Sequence, residues 1–215
     1  VGCPDSTIIG KSVGQVADER GLHVCDAFLD LVVAYGSRFR WKTLIANHRA
    51  DVLKKMLSED TVHIGFADSG AHLRNMAFYN FPLHLLKMVH DDGKDPFMSL
   101  ERAIHKLSAE PAAWFGLDAG VLAIGSRADI AIIDPKGLTD AISDYHEAPM
   151  AHMGGLKRMV RRNDEAVRAT IIGGRIAYES GVFAEDFGRT RYGRFLKADV
   201  LDRKSMTSQT PLAEA

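Results

Sequence analysis

In the stretch VHIGFADSGAH, from Val62 to His72, an apolar run stops at an acidic residue. The residues from Thr61 to Ala67 are apolar almost without interruption, which is typical of a strand covered on both faces in a parallel sheet. Asp68 follows directly, and His72 comes four residues later, after a small and flexible linker. Functional groups collect at the carboxyl ends of parallel strands, so the stretch predicts a candidate site at Asp68.

The sequence on either side of this stretch predicts both helices and strands. Caps, apolar stripes and terminal glycines predict five helical regions: Ser12–Gly21, a segment after Asp26, 49–60, 82–93, and Ser99–Gly116 with a break at Pro111. The segment after Asp26 has an apolar stripe of Phe28, Leu29, Val32 and Val33. β-prone runs predict strands at Thr43–Asn47, Thr61–Ala67 and Ile130–Ile133, and a hairpin within 166–183 that turns at Gly173–Gly174. Strand and helix therefore alternate before about residue 115, which predicts an α/β domain with a parallel sheet. These strands are too few for a closed barrel of roughly eight strands and 250 residues.

The residues around Asp68 suit a hydrolytic site. A carboxylate at a strand end binds a metal cation and accepts a proton from metal-bound water. His72 is close enough in sequence to reach the same ligand, and Arg74 and Asn75 supply a cation and an amide for a substrate carboxylate. The local pattern alone fits equally well with Asp68 as a helix cap or turn former. His63 lies inside the predicted strand and is expected to be a satisfied histidine of the core or the barrel exterior.

The composition of the chain limits the classes of partner that we expect it to bind. A formal net charge of -1 gives no general attraction for nucleic acid or an anionic membrane, so neither is expected as a partner. Two cysteines in 215 residues are no disulfide framework, which favours a reduced, cytoplasmic setting. No stretch approaches the ~20 apolar residues that span a bilayer.

The stretch VHIGFADSGAHLRN resembles the eighth barrel strand and following loop of the amidohydrolase superfamily. In that superfamily an aspartate at the end of the eighth strand contacts the metal centre and transfers the proton, and Asp68 holds that position. A histidine four places later helps to bind substrate in cyclic amidases and D-aminoacylases, and His72 matches it. The resemblance thus makes Asp68 the implied catalytic residue and metal ligand.

The resemblance covers about residues 10–190 and is strongest to the N-acyl-D-amino-acid deacylase branch. LSAEPAAWFGLDAGVLAIGSRADIAIIDP resembles the passage from the last barrel helix into a small β-domain, and ATIIGGRIAYESGVF resembles its return strands. The implied fold is α/β, the C-terminal part of a (β/α)8 TIM-type barrel plus a small β-sandwich domain. The expected divisions are 1–117 for barrel units, 118–190 for the β-domain and its connecting loop, and 191–215 for a C-terminal arm or tail.

Several metal ligands of the family are missing from the chain. There is no His-x-His pair, and Cys3 and Cys25 fall too late in the pattern to be a bridging cysteine. The resemblance implies one or two zinc ions, whose remaining ligands are expected outside this chain, because a working site takes about three protein ligands. The chain begins at Val1 rather than methionine, so we expect a processed chain or the C-terminal part of something longer.

The resemblance implies metal-dependent hydrolysis of the amide bond of N-acyl (D-)amino acids. The expected partners are this small substrate and either the missing N-terminal part of the same enzyme or a partner chain that supplies the missing strands. A homo-oligomer is also expected. Two alternatives stay open, a cyclic-amide hydrolase of the hydantoinase or dihydroorotase type, and a non-catalytic remnant or subunit with a binding role.

Overall fold

The structure, a computed structural model, describes residues 3–43, 46–65, 67, 73–74, 78–150, 154–160 and 163–198. The α-helices in these ranges are α1 (Val13–Arg20), α2 (Val24–Tyr35), α3 (Ala50–Ser58), α4 (Phe81–Asp91), α5 (Leu100–Leu107) and α6 (Ala109–Phe115). The strands are β1 (Ile130–Ile133), β2 (His146–Pro149), β3 (Lys157–Val160), β4 (Val167–Ile172), β5 (Arg175–Glu179) and β6 (Val182–Phe183). The described chain therefore combines helices and sheets, as predicted, with the helices first and the strands second.

Residues 1–50 form the first of two compact units, and α1 begins and ends there as predicted. The Ser12 side chain accepts the N–H of Gln15, whose own side chain accepts the N–H of Ser12, so the two form a capping box. Gly21 ends α1 in the left-handed conformation, with φ of 65°. The two capping interactions explain why local sequence alone located this helix.

Helix α2 corrects two expectations. The N-cap is His23, whose ring Nδ1 accepts the Cys25 N–H, whereas Asp26 lies in the first turn and faces the positive end of the helix dipole. The predicted apolar stripe is only partly inward, since Leu29 is 57% exposed and Val33 is 86% exposed. The core of this unit consists of Ile8, Val16, Leu31 and Phe39, with Phe28 and Val32 packed against them.

Residues 51–215 form the second unit, with its core between α4, α5 and the turns after β1. Its buried side chains are Leu83, Leu85, Leu86, Val89, Met98, Ala103, Leu138, Ile142 and Ala166. The Ser99 side chain caps α5, as predicted. The break between α5 and α6 falls at Ser108 rather than at Pro111, because a proline is tolerated in the first turn of a helix. None of the helices in the described ranges is long and apolar enough to cross a membrane.

The strands form two antiparallel sheets, one in the order β1-β4-β5-β6 and one made by β2 and β3. Strand β1 has the predicted bounds, and β4 and β5 form the predicted hairpin, with Gly173 and Gly174 at φ of 57° and 81° in its turn. Gly137 sits where β1 leaves the sheet, and a Cβ atom there would lie 2.2 Å from the Glu165 carbonyl oxygen, so the position requires glycine.

The predicted strands Thr43–Asn47 and Thr61–Ala67 are wrong for every residue of them that the structure describes. Residues 61–65 alternate in exposure, with Val62 and Ile64 half-buried, which is typical of a segment with one covered face rather than two. A strand is defined by hydrogen bonds to a neighbour, and within the described ranges no residue before Ile130 pairs in a sheet. The predicted domain bounds 1–117, 118–190 and 191–215 stay predictions.

Candidate functional site

The residues predicted for the site fall mostly outside the described part of the chain. Asp68, His72 and Asn75 lie outside the described residues, so their predicted roles stay predictions. Arg74 is described, and its guanidinium donates to Glu147 Oε1 from Nη2 at 2.8 Å and from Nε at 3.2 Å. Arg74 therefore holds a carboxylate, which is the chemical group that its predicted substrate role requires.

The hairpin of β2 and β3 contacts the chain just after the Asp68–His72 motif. The Met159 N–H donates to the Leu73 carbonyl at 2.7 Å, next to the pair between Arg74 and Glu147. We call these four residues the hairpin contact. Arg158 of the same hairpin places its guanidinium 5.9 Å from the ring centre of Tyr79. The hairpin therefore touches described residues at both ends of the segment 73–79.

Asn80 fixes the chain where α4 begins. Its side chain is 6% exposed and does not cap the helix. Instead the amide Nδ2 donates to the Ile142 carbonyl at 2.7 Å and to Asn163 Oδ1 at 3.1 Å. A buried amide that bridges two other segments is costly to move, because its polar atoms would lose partners away from water.

A second group of contacts lies on the chain just before the motif. Lys106 is fully buried, and its Nζ donates to the Glu59 carbonyl at 2.8 Å. Arg102 donates to the Asp60 carboxylate at 2.8 Å and to Glu110 Oε2 at 2.6 Å. Helices α5 and α6 therefore hold the turn that follows α3.

Glu110 is the centre of this second group. Its Oε1 lies 2.9 Å from His63 Nδ1 and 3.9 Å from Lys106 Nζ, and its side chain is 13% exposed. The His63 ring also packs against Trp114, with ring centres 4.6 Å apart. We call Arg102, Lys106, Glu110 and His63 the buried charge cluster after Lys106, which is fully buried, whereas the Arg102 and His63 side chains are 31% and 33% exposed.

The charges of this cluster set the protonation of Glu110. Burial, the largest single influence, acts to raise the pKa of Glu110, but the Arg102 hydrogen bond, the Lys106 and Arg102 charges and the His63 hydrogen bond together leave it lowered. The same carboxylate raises the pKa of Arg102, chiefly through their hydrogen bond. Glu110 is therefore ionised at neutral pH and accepts the hydrogen of His63 Nδ1, which assigns the ring tautomer.

Sequence reasoning missed this cluster, apart from placing His63 as a satisfied histidine. Charged residues on an amphipathic helix are usually solvated, so Arg102, Lys106 and Glu110 gave no signal as single residues. Their spacing was a usable signal, since they lie four residues apart and two cations, Arg102 and Lys106, are followed by the anion Glu110. Lys106 is the exception to the usual exposure, because it has a carbonyl and a carboxylate as neighbours in the interior.

The described residues do not by themselves fit a zinc centre. Among them, no group of three or more histidine, cysteine, aspartate or glutamate side chains is placed to hold a metal ion. Glu110 and His63 are zinc-type donors, but Arg102 and Lys106 beside them are positive and disfavour a further cation. A zinc centre therefore needs further ligands from residues outside the described ranges or outside the chain.

The two aspartates of the GSRADIAIIDP passage have structural partners. Asp129 accepts the Gly173 N–H at 2.7 Å and pairs with Arg127, and Asp134 accepts the Lys136 N–H at 3.0 Å. Burial acts most strongly to raise the pKa of Asp129, but these two donors leave it lowered. The passage therefore joins the start of β1 to the β4–β5 turn.

An open groove of about 840 Å³ lies in the first unit, away in sequence from the predicted site. Its lining is mainly apolar and includes Phe28, Phe39 and Trp41, whose rings pack against one another. None of the predicted site residues lines it. A large apolar groove without converging catalytic groups does not locate the chemistry.

Comparison with known proteins identifies the family. The sequence model described as the amidohydrolase family matches residues 29–178, so the chain belongs to that family. Uncharacterized proteins of Mycobacterium bovis and of two strains of Mycobacterium tuberculosis are each 52% identical over 201 residues, which is 92% of this chain. The chain spans only 33% of the length of these relatives. No solved structure matches the chain.

Proposed function

We propose that the chain is the C-terminal part of an amidohydrolase that cleaves the amide bond of N-acyl D-amino acids. The observation that carries the proposal is that the family match spans Asp68 and His72, while Arg74, two residues further on, donates to the carboxylate of Glu147. An N-acyl amino acid carries a carboxylate beside the scissile amide, so a guanidinium near a proton-transferring aspartate suits this substrate.

The proposed fold and partners follow from the length of the relatives. Because the chain spans a third of their length, we assign it the last strand–helix units of a (β/α)8 barrel and part of a small β-sandwich domain. The other barrel strands then come from the rest of the same polypeptide or from a partner chain. A homo-oligomer in the cytoplasm remains our proposal for the assembled enzyme.

The proposed cofactor is zinc, as one or two ions with most of their ligands outside this chain. Bound zinc in such enzymes polarises the substrate carbonyl and lowers the pKa of the attacking water. Asp68 would accept a proton from the attacking water as the water oxygen bonds to the carbonyl carbon, and it would deliver the proton to the amine nitrogen as the C–N bond breaks. His72, Arg74 and Asn75 orient the substrate, with Arg74 on its carboxylate.

The first test uses the complete polypeptide that carries this chain, loaded with zinc, and an Asp68→Asn variant. We expect hydrolysis of N-acetyl-D-amino acids by the wild type, and a fall in kcat of about 10²–10⁴-fold in the variant, because asparagine cannot transfer the proton. The measurement is the rate of free amino acid release at saturating substrate. Thermal unfolding of both proteins checks that the fold is kept.

Each outcome separates the proposal from its alternatives. Near-wild-type kcat in Asp68→Asn would refute the catalytic assignment. Hydrolysis of a hydantoin or dihydroorotate with no action on N-acetyl-D-amino acids would favour the cyclic-amide hydrolase. No hydrolysis of either class by zinc-loaded wild type would favour the non-catalytic reading.

A further inference from the structure

The segment Thr61–Gly65 leads directly into the motif that contains Asp68. His63 is separated from Asp68 by five residues of chain, each spanning at most about 3.6 Å. Within the described ranges, none of residues 61–65 has a strand partner. Hydrogen bonds to a neighbouring strand normally fix the position of such a segment. Here other contacts must fix its position.

The buried charge cluster contacts this segment at two places. The Glu59 carbonyl accepts both Lys106 Nζ, at 2.8 Å, and the Val62 N–H, at 3.3 Å, so Lys106 secures the turn that starts the segment. Glu110 then holds His63 two residues later, and the Ile64 side chain packs against the core of the second unit.

Glu110 is itself held rigidly. Arg102 donates to its Oε2 at 2.6 Å, and Lys106, which is fully buried, lies 3.9 Å from its Oε1. The Trp114 ring, one turn further along α6, also packs against the His63 ring. Charge-assisted hydrogen bonds in a poorly solvated place are strong and directional, so they define a position better than packing alone.

We propose that Glu110 is a positioning residue that sets the segment leading to Asp68 through its hydrogen bond to His63. The inference rests on the proposed function, because it assigns to Glu110 the placement of the proton-transferring carboxylate. Proton transfer depends steeply on distance, and a misplacement of about 1 Å costs about 10²-fold in rate. Loosening the contact therefore lowers kcat and leaves KM almost unchanged, because Asp68 does not bind the substrate carboxylate.

The test compares two substitutions of His63 in the zinc-loaded complete polypeptide with N-acetyl-D-amino acids. His63→Leu removes the donor, whereas the Asn Nδ2 of His63→Asn lies close to where the His Nδ1 was and keeps a donor for Glu110. We expect His63→Leu to lower kcat about 10–100-fold with KM within about twofold of wild type, and His63→Asn to recover most of the loss. His90→Leu, at an exposed histidine of α4, is the matched control and should leave kcat unchanged.

Amide hydrogen exchange of residues 61–67 gives a readout that needs no activity. We expect faster exchange there in His63→Leu and in Glu110→Leu than in wild type and His63→Asn. Unchanged kcat in His63→Leu, a loss that His63→Asn does not recover, or unchanged exchange would each overturn the inference. If His63→Leu fails to fold, Glu110→Leu, which removes the acceptor, takes its place in the kinetic comparison. An inactive wild type with the expected exchange pattern would refute the proposed function but retain the link between Glu110 and the segment.

Discussion

The buried charge cluster and the hairpin contact flank the Asp68–His72 motif with the same chemistry but different exposure. Before the motif, Lys106 is fully buried and Glu110 is 13% exposed. After the motif, the side chains of Arg74 and Glu147 are 48% and 35% exposed. Water screens the second pair and not the first, so removal of a partner is costly on one side and nearly free on the other.

The difference implies a division of roles around the motif. The segment before Asp68 is held partly from the interior, because Lys106 is fully buried and would leave a charge there if it lost its partners. The segment after His72 is held by an exposed pair that can exchange one carboxylate for another at little cost. Under the proposed function, this exchange lets a substrate carboxylate replace Glu147 on Arg74.

Lys106→Met should produce the largest effect on stability. The substitution keeps the length of the side chain but removes one of the two donors to the Glu59 carbonyl and leaves Glu110 with one cation fewer. We expect the free energy of unfolding of the full chain to fall by about 3 kcal/mol, the low end for a broken buried pair, because Arg102 still neutralises Glu110. Urea unfolding measures it.

The matched control is Lys11→Met, which removes an ion pair from the surface of the first unit that is shorter than the 3.9 Å between Lys106 and Glu110. Lys11 lies 2.7 Å from Glu19, and the two side chains are 35% and 54% exposed. A loss of more than about 1 kcal/mol is not expected there. Equal losses for Lys11→Met and Lys106→Met would show that burial does not distinguish the two kinds of pair.

Glu110→Gln should change how stability depends on pH. The pKa of Glu110 is lowered in the folded protein, so its charge stabilises the fold above the ordinary value of 4.5 and that contribution is lost as the pH falls through the folded pKa. We expect the variant to be less stable than wild type at neutral pH, with a difference that shrinks below about pH 4. Urea unfolding across this range measures the difference.

The control for this titration is Asp118→Asn, at a carboxylate whose side chain is 76% exposed and 3.3 Å from Arg194. It should give a small difference from wild type at every pH. A Glu110→Gln difference that stays constant, or grows, as the pH falls would contradict the assigned direction of the pKa shift.

The pair of Arg74 and Glu147 should show the smallest effect. In a double-mutant cycle of Arg74→Ala and Glu147→Ala, we expect a coupling of at most about 1 kcal/mol, decreasing with added salt, because both side chains are half-exposed. Urea unfolding of the four proteins measures the coupling. A coupling above about 2 kcal/mol would place this pair with the buried ones and remove the contrast between the two flanks.

The parts of the fold that the sequence predicted are those with local signals. Ser12, Gln15 and Gly21 cap α1 through side chains at most a few residues away, and the Gly173–Gly174 turn needs only its own positive φ values. The residues from Thr61 to Ala67 are apolar and β-prone, but strand pairing depends on a distant partner that their sequence does not contain. Of the predicted strand, the described segment keeps only the partial burial of Val62 and Ile64, which lie between exposed residues.

The candidate site, like the fold, was predicted only where its residues carried a signal of their own. Asp68 and His72 were found by their position after an apolar run and by resemblance to a family, and the family match now covers both. The partner of Arg74 was not predictable, because Glu147 is far along the chain and its hairpin has no local link to the motif. Lys106 was missed because burial of a lysine is decided by tertiary neighbours rather than by its own sequence.

The β2–β3 hairpin lies where its length and charge can change at little cost to the sheet. Residues 134–166 leave the sheet at Ile133 and return at Val167, two residues that pair with each other. Doubling the length of such a loop costs only about 0.6 kcal/mol in closure entropy, so the sheet tolerates insertion or exchange of the hairpin. Because the hairpin contacts Leu73 and Arg74, a change in its length or charge alters the contacts next to the motif at little cost to the sheet. Under the proposed function, designed exchange of this one segment is a route to an altered substrate preference.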